Sequence, residues 1–303
     1  VARQGDRWAL GQDSLLSADV LYSTLENTPY WYDQRCERPV STAPDGRGVY
    51  DCGGAPEAIV VGSFNGGEST LFALSAKKEW DTKAGRFDLF ASYTHADIKD
   101  IGYGTSSTAT SNYSDFAAYD RQSPREGISN FQVEHMLKIR VNWSKELIPG
   151  YETRVSLFAT RRSGQPYSYT FSENNNCVLD VGGGRCPRES RNDDAGHLLY
   201  VPAGINDPLF SPASFGGDAA AQQAFIDYID SSELAQYRGG IAPRNNDNSP
   251  MTTIVDLRLQ QELPTLSSDH SFKLFIDIEN LGNLLNDDWG RIERTRYEYE
   301  RDV

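Results

Sequence analysis

The sequence predicts an all-β protein: an antiparallel up-and-down transmembrane β-barrel, partial at about eight strands, with long extracellular loops and a short helix in the largest of them. Three observations predict it. Apolar residues recur at every second position in segment after segment, which is the period of a strand. The opposite face of those segments is mostly ionised or polar. The links between them alternate strictly between turn-sized and long, as in outer-membrane barrels with short turns at one rim and long loops at the other.

The predicted strands run as follows. The first covers about 14–32, with Leu16, Ala18, Val20 and Tyr22 on one face. The second, 66–80, carries Phe72, Leu74 and Ala76. In the third, 86–101, Phe87, Leu89, Ala91 and Tyr93 oppose Arg86, Asp88, Phe90, Ser92 and Thr94. In the fourth, 130–146, Val133, Leu137, Ile139, Val141 and Trp143 oppose Gln132, Glu134, Lys138, Arg140 and Asn142. The fifth, 151–171, sets Val155, Leu157 and Ala159 against Arg154, Ser156 and Thr160. The sixth, 251–263, sets Val255, Leu257 and Leu259 against Asp256, Arg258 and Gln260. The seventh, 271–284, opens with Leu274, Ile276 and Ile278 against Lys273, Phe275, Asp277 and Glu279 and then dissolves into Asn, Gly and Asp. A less regular alternation over 291–301 gives the eighth. The short links (DTKAG, LIPG, PTLSSDHS) are rich in turn formers. The long ones cover about 33–65, 102–128 and 172–250.

Alternation is shared by a soluble sandwich or a closed soluble barrel, which would bury the apolar face and expose the charges. In a membrane the order is reversed. Each charge facing lipid at the midplane would cost about 2–4 kcal/mol, so the ionised face lines a wet lumen or meets a plug. The aromatics favour the membrane. Trp80 and Trp143 sit beside short turns, and Tyr30, Trp31 and Tyr32 end a strand beside a long loop, where interfacial girdles form.

Composition bounds the function. A net charge of −14 over 303 residues excludes nucleic acid as a partner, since phosphate binding needs a basic face. Hydrophobic content is 38% and no apolar run approaches the roughly 18–20 residues of a spanning helix. Val1 opens no signal peptide, and the chain begins mid-pattern. The four cysteines form two local pairs, Cys36/Cys52 and Cys177/Cys186, in polar Gly-rich loops without CxxC spacing. They read as loop-closing disulfides of an oxidising compartment.

The largest loop, with 11 acidic and 5 basic residues, contains a predicted helix capped by Asp218, with Phe225 and Ile229 one turn apart. Asp230-Ser-Ser-Glu233 resembles a capping box for a second turn, and Gly239 or Gly240 stops it. The acidity is consistent with divalent ions bridging the loop to lipopolysaccharide phosphates. A loop of that length with its own helix is more often functional than idle.

No catalytic motif occurs, so no enzyme, cofactor or metal is expected. His95, His135, His197 and His270 are far apart in sequence and read as structural or solvated. Gly182–Gly184 follows no apolar strand and reads as a loop rather than a phosphate cradle. Asp193-Asp194 and Asp287-Asp288 lack the spacing of a calcium loop and read as solvated acids. Asn112-Tyr-Ser114 and Asn142-Trp-Ser144 match the glycosylation pattern, the second by chance within a strand. Arg161 and Arg162, with Tyr167 and Tyr169, stand where a strand enters the largest loop. A substrate passing a barrel mouth would meet them there, although a hydrated strand end with interfacial aromatics uses the same residues.

Several ordered segments then carry a resemblance. RRSGQPYSYTF at 161–171, AQYRGGIAPRNNDNSP at 235–250, DLRLQQELP at 256–264 and DIENLGNLLNDDWG at 277–290 resemble the C-terminal barrel strands of TonB-dependent outer-membrane receptors of the Oar-like (OmpA-related) branch. GTSSTATSN at 104–112 and YVP at 200–202 fit in order. The resemblance implies an outer-membrane transporter with a barrel of about 22 strands, an N-terminal plug and a TonB box coupling it to an inner-membrane energy complex. Its substrate contacts would come from loop residues and the lumen mouth, adding Tyr237, Arg238 and Arg244. This chain departs from that plan: it has about eight strands, no plug-like region, no TonB box and no terminal aromatic. It therefore reads as a piece of a longer receptor that helps bind and import an unidentified scarce substrate. A surface adhesion protein without transport, or a soluble secreted β-sandwich, is the alternative.

Overall fold

Eight strands follow one another in the chain and in space. The structure is a computed structural model; it describes the chain apart from Gln12, Glu37, 51–57, Tyr103, Asp115, 172–196, 211–214, 265–271, Arg294, 296–299 and Val303. The main strands are β1 (Ala2–Ala9), β2 (Ser14–Thr24), β3 (Glu68–Thr82), β4 (Gly85–Asp100), β5 (His135–Ile148), β6 (Tyr151–Arg162), β7 (Thr252–Leu263) and β8 (Phe272–Ile278). Each pairs antiparallel with the next, and the short strand Gly127–Ile128 adds to the end of β4, so the described sheet is an antiparallel meander of nine strands running from β1 to β8. The turns at 83–84 and 149–150 lie at one end; the described parts of the connections 25–67, 101–134 and 163–251 lie at the other.

The short turns are built from residues that tolerate them. Pro149-Gly150 places Gly at φ 81 after a Pro, as a turn with left-handed second residue requires. Gly85 at φ 135 closes the β3–β4 hairpin, and an added Cβ would lie 2.6 Å from both Ser144 O and Trp143 Nε1. That close approach lets Trp143 Nε1 donate to Ala84 O at 3.0 Å.

Register gathers the alternating apolar residues onto one face. Leu16, Ala76, Ala91, Ile139, Ala159 and Val255 form one row, and Val20, Phe72 and His95 belong to another. Near the short turns Trp80, Phe87 and Trp143 are neighbours across three strands, and Trp80 stacks on Phe87 with centroids 5.4 Å apart. This face is not buried. Leu89, Ile139, Val155 and Leu257 are only partly covered, and Leu74, Leu137, Leu157, Leu259 and Ile276 are exposed. The opposite face carries cross-strand ion pairs: Arg3–Asp19 at 2.9 Å, Arg86–Glu79 at 2.5 Å, Arg140–Asp88 at 3.1 Å, Arg258–Asp277 at 2.5 Å and Lys273–Glu262 at 2.8 Å.

The buried core lies instead in the long connections. Tyr169, Leu199, Val201, Phe225, Ile229 and Leu234 belong to one cluster, with Leu199, Val201, Ile229 and Leu234 at 0% exposure. Helix α1 (Ala109–Ser114) is short; helix α2 (Ala219–Ser231) supplies Phe225, Ile226 and Ile229 from one face. Asp218 caps α2 by accepting from the Ala220 and Ala221 amides at 2.8 and 3.2 Å. The following 3₁₀ turn, Glu233–Tyr237, is capped by Ser232 and not by Asp230. We call this region the cap.

Four expected elements differ. The strand expected over 14–32 breaks at Asn27 (φ 56), and Thr28–Asp33 pairs with Ile59–Phe64 in a hairpin of its own. Its aromatics Tyr30, Trp31 and Tyr32 thus belong to the cap. The strand expected over 151–171 ends at Arg162, and Pro166–Thr170 joins Asp247–Asn248 in the cap. Between them Gly164 packs against Ser249, where an added Cβ would lie 2.1 Å from the carbonyl oxygen. The strand expected over 271–284 ends at Ile278, followed by a 3₁₀ turn over Leu281–Leu284. The strand expected over 291–301 reduces to Glu300–Asp302, which pairs parallel with Ser168–Thr170 rather than with the sheet. β1 takes its place in the strand count.

Candidate ligand-binding cavity

A cavity of about 430 Å³ opens within the cap. The hairpin from Thr28 contributes Tyr30 and Trp31. The segment after β4 contributes Phe116, Tyr119, Asp120, Arg121, Arg125 and Glu126. The small antiparallel pair Tyr200–Val201 and Gly240–Ile241 contributes Tyr200 and Ile241, and Arg244 follows it.

The polar groups on this wall are held by the protein itself. Asp45 pairs at 2.5 Å with Arg47, both side chains being almost fully enclosed, and Arg47 Nη1 donates to Leu198 O at 2.9 Å. Asp120 accepts from Tyr50 Oη at 2.8 Å and from the Gln122 amide at 2.9 Å. Arg121 is buried and donates to Ser114 O and Phe116 O, each at 3.2 Å. The Arg125 guanidinium lies 3.5 Å from the Tyr119 ring centroid. Glu126 accepts from the Gly67 amide at 2.7 Å, tying the wall to the root of β3. On the hairpin, the bonds from Arg35 hold the Asp33 carboxyl below its usual range despite its burial. Tyr200 donates to Asp207 at 3.0 Å, and burial, followed by that bond, pushes its hydroxyl up to about 12. The result is a preformed pocket with aromatic walls and fixed polar groups, the pattern of small-molecule sites.

Of the sequence candidates, only Arg244 lines this cavity. It is 5% exposed, bonds through Nη2 to Asp100 and to Gly127 O, and leaves Nη1 buried without a hydrogen-bond partner among the described residues. Tyr167 and Tyr169 are core residues whose hydroxyls donate to Asp247 at 2.7 and 2.8 Å. Burial, with those hydrogen bonds, drives the Tyr169 hydroxyl upward. Tyr237 packs half-buried against the same core. Arg238 is tied to Asp230 at 2.5 Å and to Pro202 O at 3.0 Å. Arg161 is exposed on the sheet, and Arg162 lines a separate pocket of about 230 Å³. Asn112 is buried with its amide bonded to Ser106, which makes it a poor glycan acceptor.

Cys36 is disulfide-bonded. Cys52, Cys177, Cys186, Gly182–Gly184 and Asp193-Asp194 lie outside the described residues. Asp287 and Asp288 are exposed, consistent with solvated acids. Trp31, Tyr119, Arg125 and Tyr200 were missed as site residues because they come from three connections without periodicity. The aromatic runs around Tyr30 and Tyr119 were the one available signal. The sequence matches no family model, and comparison with curated proteins and with solved structures finds no significant match.

Proposed function

We propose that this chain is a barrel portion of an outer-membrane receptor of the TonB-dependent, Oar-like type, and that the cap cavity binds its small-molecule substrate. The observation that carries the reading is the inverted burial: among the described residues the large apolar side chains of the sheet are exposed or only partly covered, while the main buried cluster lies in the connections at one end. In water an exposed apolar face of this extent is a liability. Against acyl chains it is the required surface, with Trp80, Phe87 and Trp143 at the interface near the short turns. The ion-paired face then borders the lumen. The edges β1 and β8 would be completed by further strands of the receptor, because unpaired edges are not tolerated in lipid.

Flotation of the purified chain with phospholipid vesicles, followed by protease treatment, tests this. The expected result is co-flotation with cleavage confined to the cap connections and protection of β3 to β6. A chain that stays monodisperse without detergent and does not float would overturn the reading in favour of a soluble β-protein.

A further inference from the structure

We propose that His95, Glu134 and His135 bind a divalent transition-metal ion of the Zn²⁺ class at the cap end of the sheet, a site independent of the substrate cavity. The two histidines are 40 positions apart in sequence, but the β4–β5 register sets them directly opposite each other. A ligand atom from each of the three side chains lies within 4.8 Å of the others. His95 Nδ1 and His135 Nδ1 are 3.4 Å apart. Zinc–nitrogen bonds of about 2.0–2.1 Å in a tetrahedron put neighbouring donors about 3.3 Å apart, which the two Nδ1 atoms already match; Glu134 Oε1, now 3.5 Å from His135 Nε2, would swing to join them. Two imidazoles and one carboxylate suit zinc, cobalt or nickel and not calcium or magnesium, which take oxygen.

Three further features fit. The donors stand on rigid backbone: the Ala96 amide donates to Glu134 O at 2.9 Å, and His135 exchanges bonds with Ser163 at 2.9 and 3.0 Å. Glu134 Oε2 accepts from Asn248 at 3.3 Å, which orients the carboxylate as an outer partner should. A cavity of about 490 Å³ borders His95 and Glu134, giving an ion a route in, and Asp97, Glu233 and Asp247 line it with negative charge. On its wall both amide atoms of Asn246 are buried without a hydrogen-bond partner among the described residues, polar atoms that suit a metal-bound water. The Tyr93 hydroxyl sits 2.8 Å from His135 Nδ1, a contact a bound ion would displace.

The test is titration of the purified full chain in detergent with Zn²⁺ and with Co²⁺. Saturable binding of one ion per chain is expected, with a cobalt spectrum of tetrahedral intensity. His95→Asn and His135→Asn should each weaken affinity by at least about tenfold, and Glu134→Gln should weaken it less. In case the variants misfold, Zn²⁺ protection from diethylpyrocarbonate, mapped by mass spectrometry on the unmodified chain, should fall on His95 and His135. No saturable binding, binding that survives both histidine changes, or protection confined to His197 or His270 would each overturn the proposal.

Discussion

The cap and the sheet use the same pair of residue types in opposite ways. In the cap, Arg47 and Asp45 form an ion pair with side-chain exposures of 2% and 0%; on the sheet, Arg258 and Asp277 form one with exposures of 56% and 38%. Leucine shows the same contrast: Leu199 and Leu234 are fully buried in the cap, whereas Leu157 and Leu259 on the sheet are 38% and 37% exposed. The cap is therefore held like a small water-soluble domain, by burial and by enclosed ion pairs and hydrogen bonds. The sheet is held by its ladder of backbone hydrogen bonds and leaves its apolar face exposed or partly covered. Stability in this chain should be local, with two regions that respond differently to the same substitution.

The largest effect is expected where a buried charge loses its partner. Asp45→Ala leaves Arg47 enclosed and uncompensated and should cost the cap about 3–5 kcal/mol. Hydrogen exchange at Leu199–Val201 should accelerate while that at β5 and β6 stays unchanged; acceleration in both would break the division. Ile229→Ala comes next, at about 2–5 kcal/mol from a fully packed site. The same readout applies, with loss of protection in α2.

Alkali sharpens the contrast through the cap tyrosines. Burial and its bond to Asp207 raise the Tyr200 hydroxyl from 10.0 to about 12, and Tyr169 moves in the same direction. A group raised in the folded state contributes stability in full below its unfolded value and loses it as pH rises through the folded one. The cap should therefore loosen between pH 10 and about 12, with tyrosinate absorbance and cap exchange rising together. Tyrosinate formation at ordinary pH for these residues would contradict it. The smallest effect is predicted for Arg258→Ala. Its exposed pair with Asp277 is solvent-screened, and no change in the denaturation midpoint should be detectable.

What the sequence disclosed follows the same division. Seven sheet strands, β2 to β8, were legible because each is apolar on one face only, and alternation records that asymmetry. β1 was not, because its side-chain positions on the apolar face are Ala2, Gln4, Asp6 and Trp8, which carry no period. The alternation of 291–301 misled, since Glu300–Asp302 finds a partner in Pro166–Thr170 and nothing local specifies that pairing. Helix α2 was legible because its signals are local, in the Asp218 cap and the Phe225/Ile229 spacing. The cavity was not: Trp31, Tyr119, Tyr200 and Arg244 meet only through the packing of three separate connections. The His95–His135 pairing was hidden for the same reason, being a property of register between strands.

The central claim is the direction each face of the sheet takes. It is tested most directly by spin labels on single introduced cysteines, Val141→Cys on the apolar face and Asn142→Cys on the polar one, in the chain reconstituted into bilayers. The account predicts that the label at 141 relaxes with oxygen dissolved in the hydrocarbon and the label at 142 with a water-soluble nickel chelate. The reverse pattern, or two labels equally open to the chelate, would contradict it.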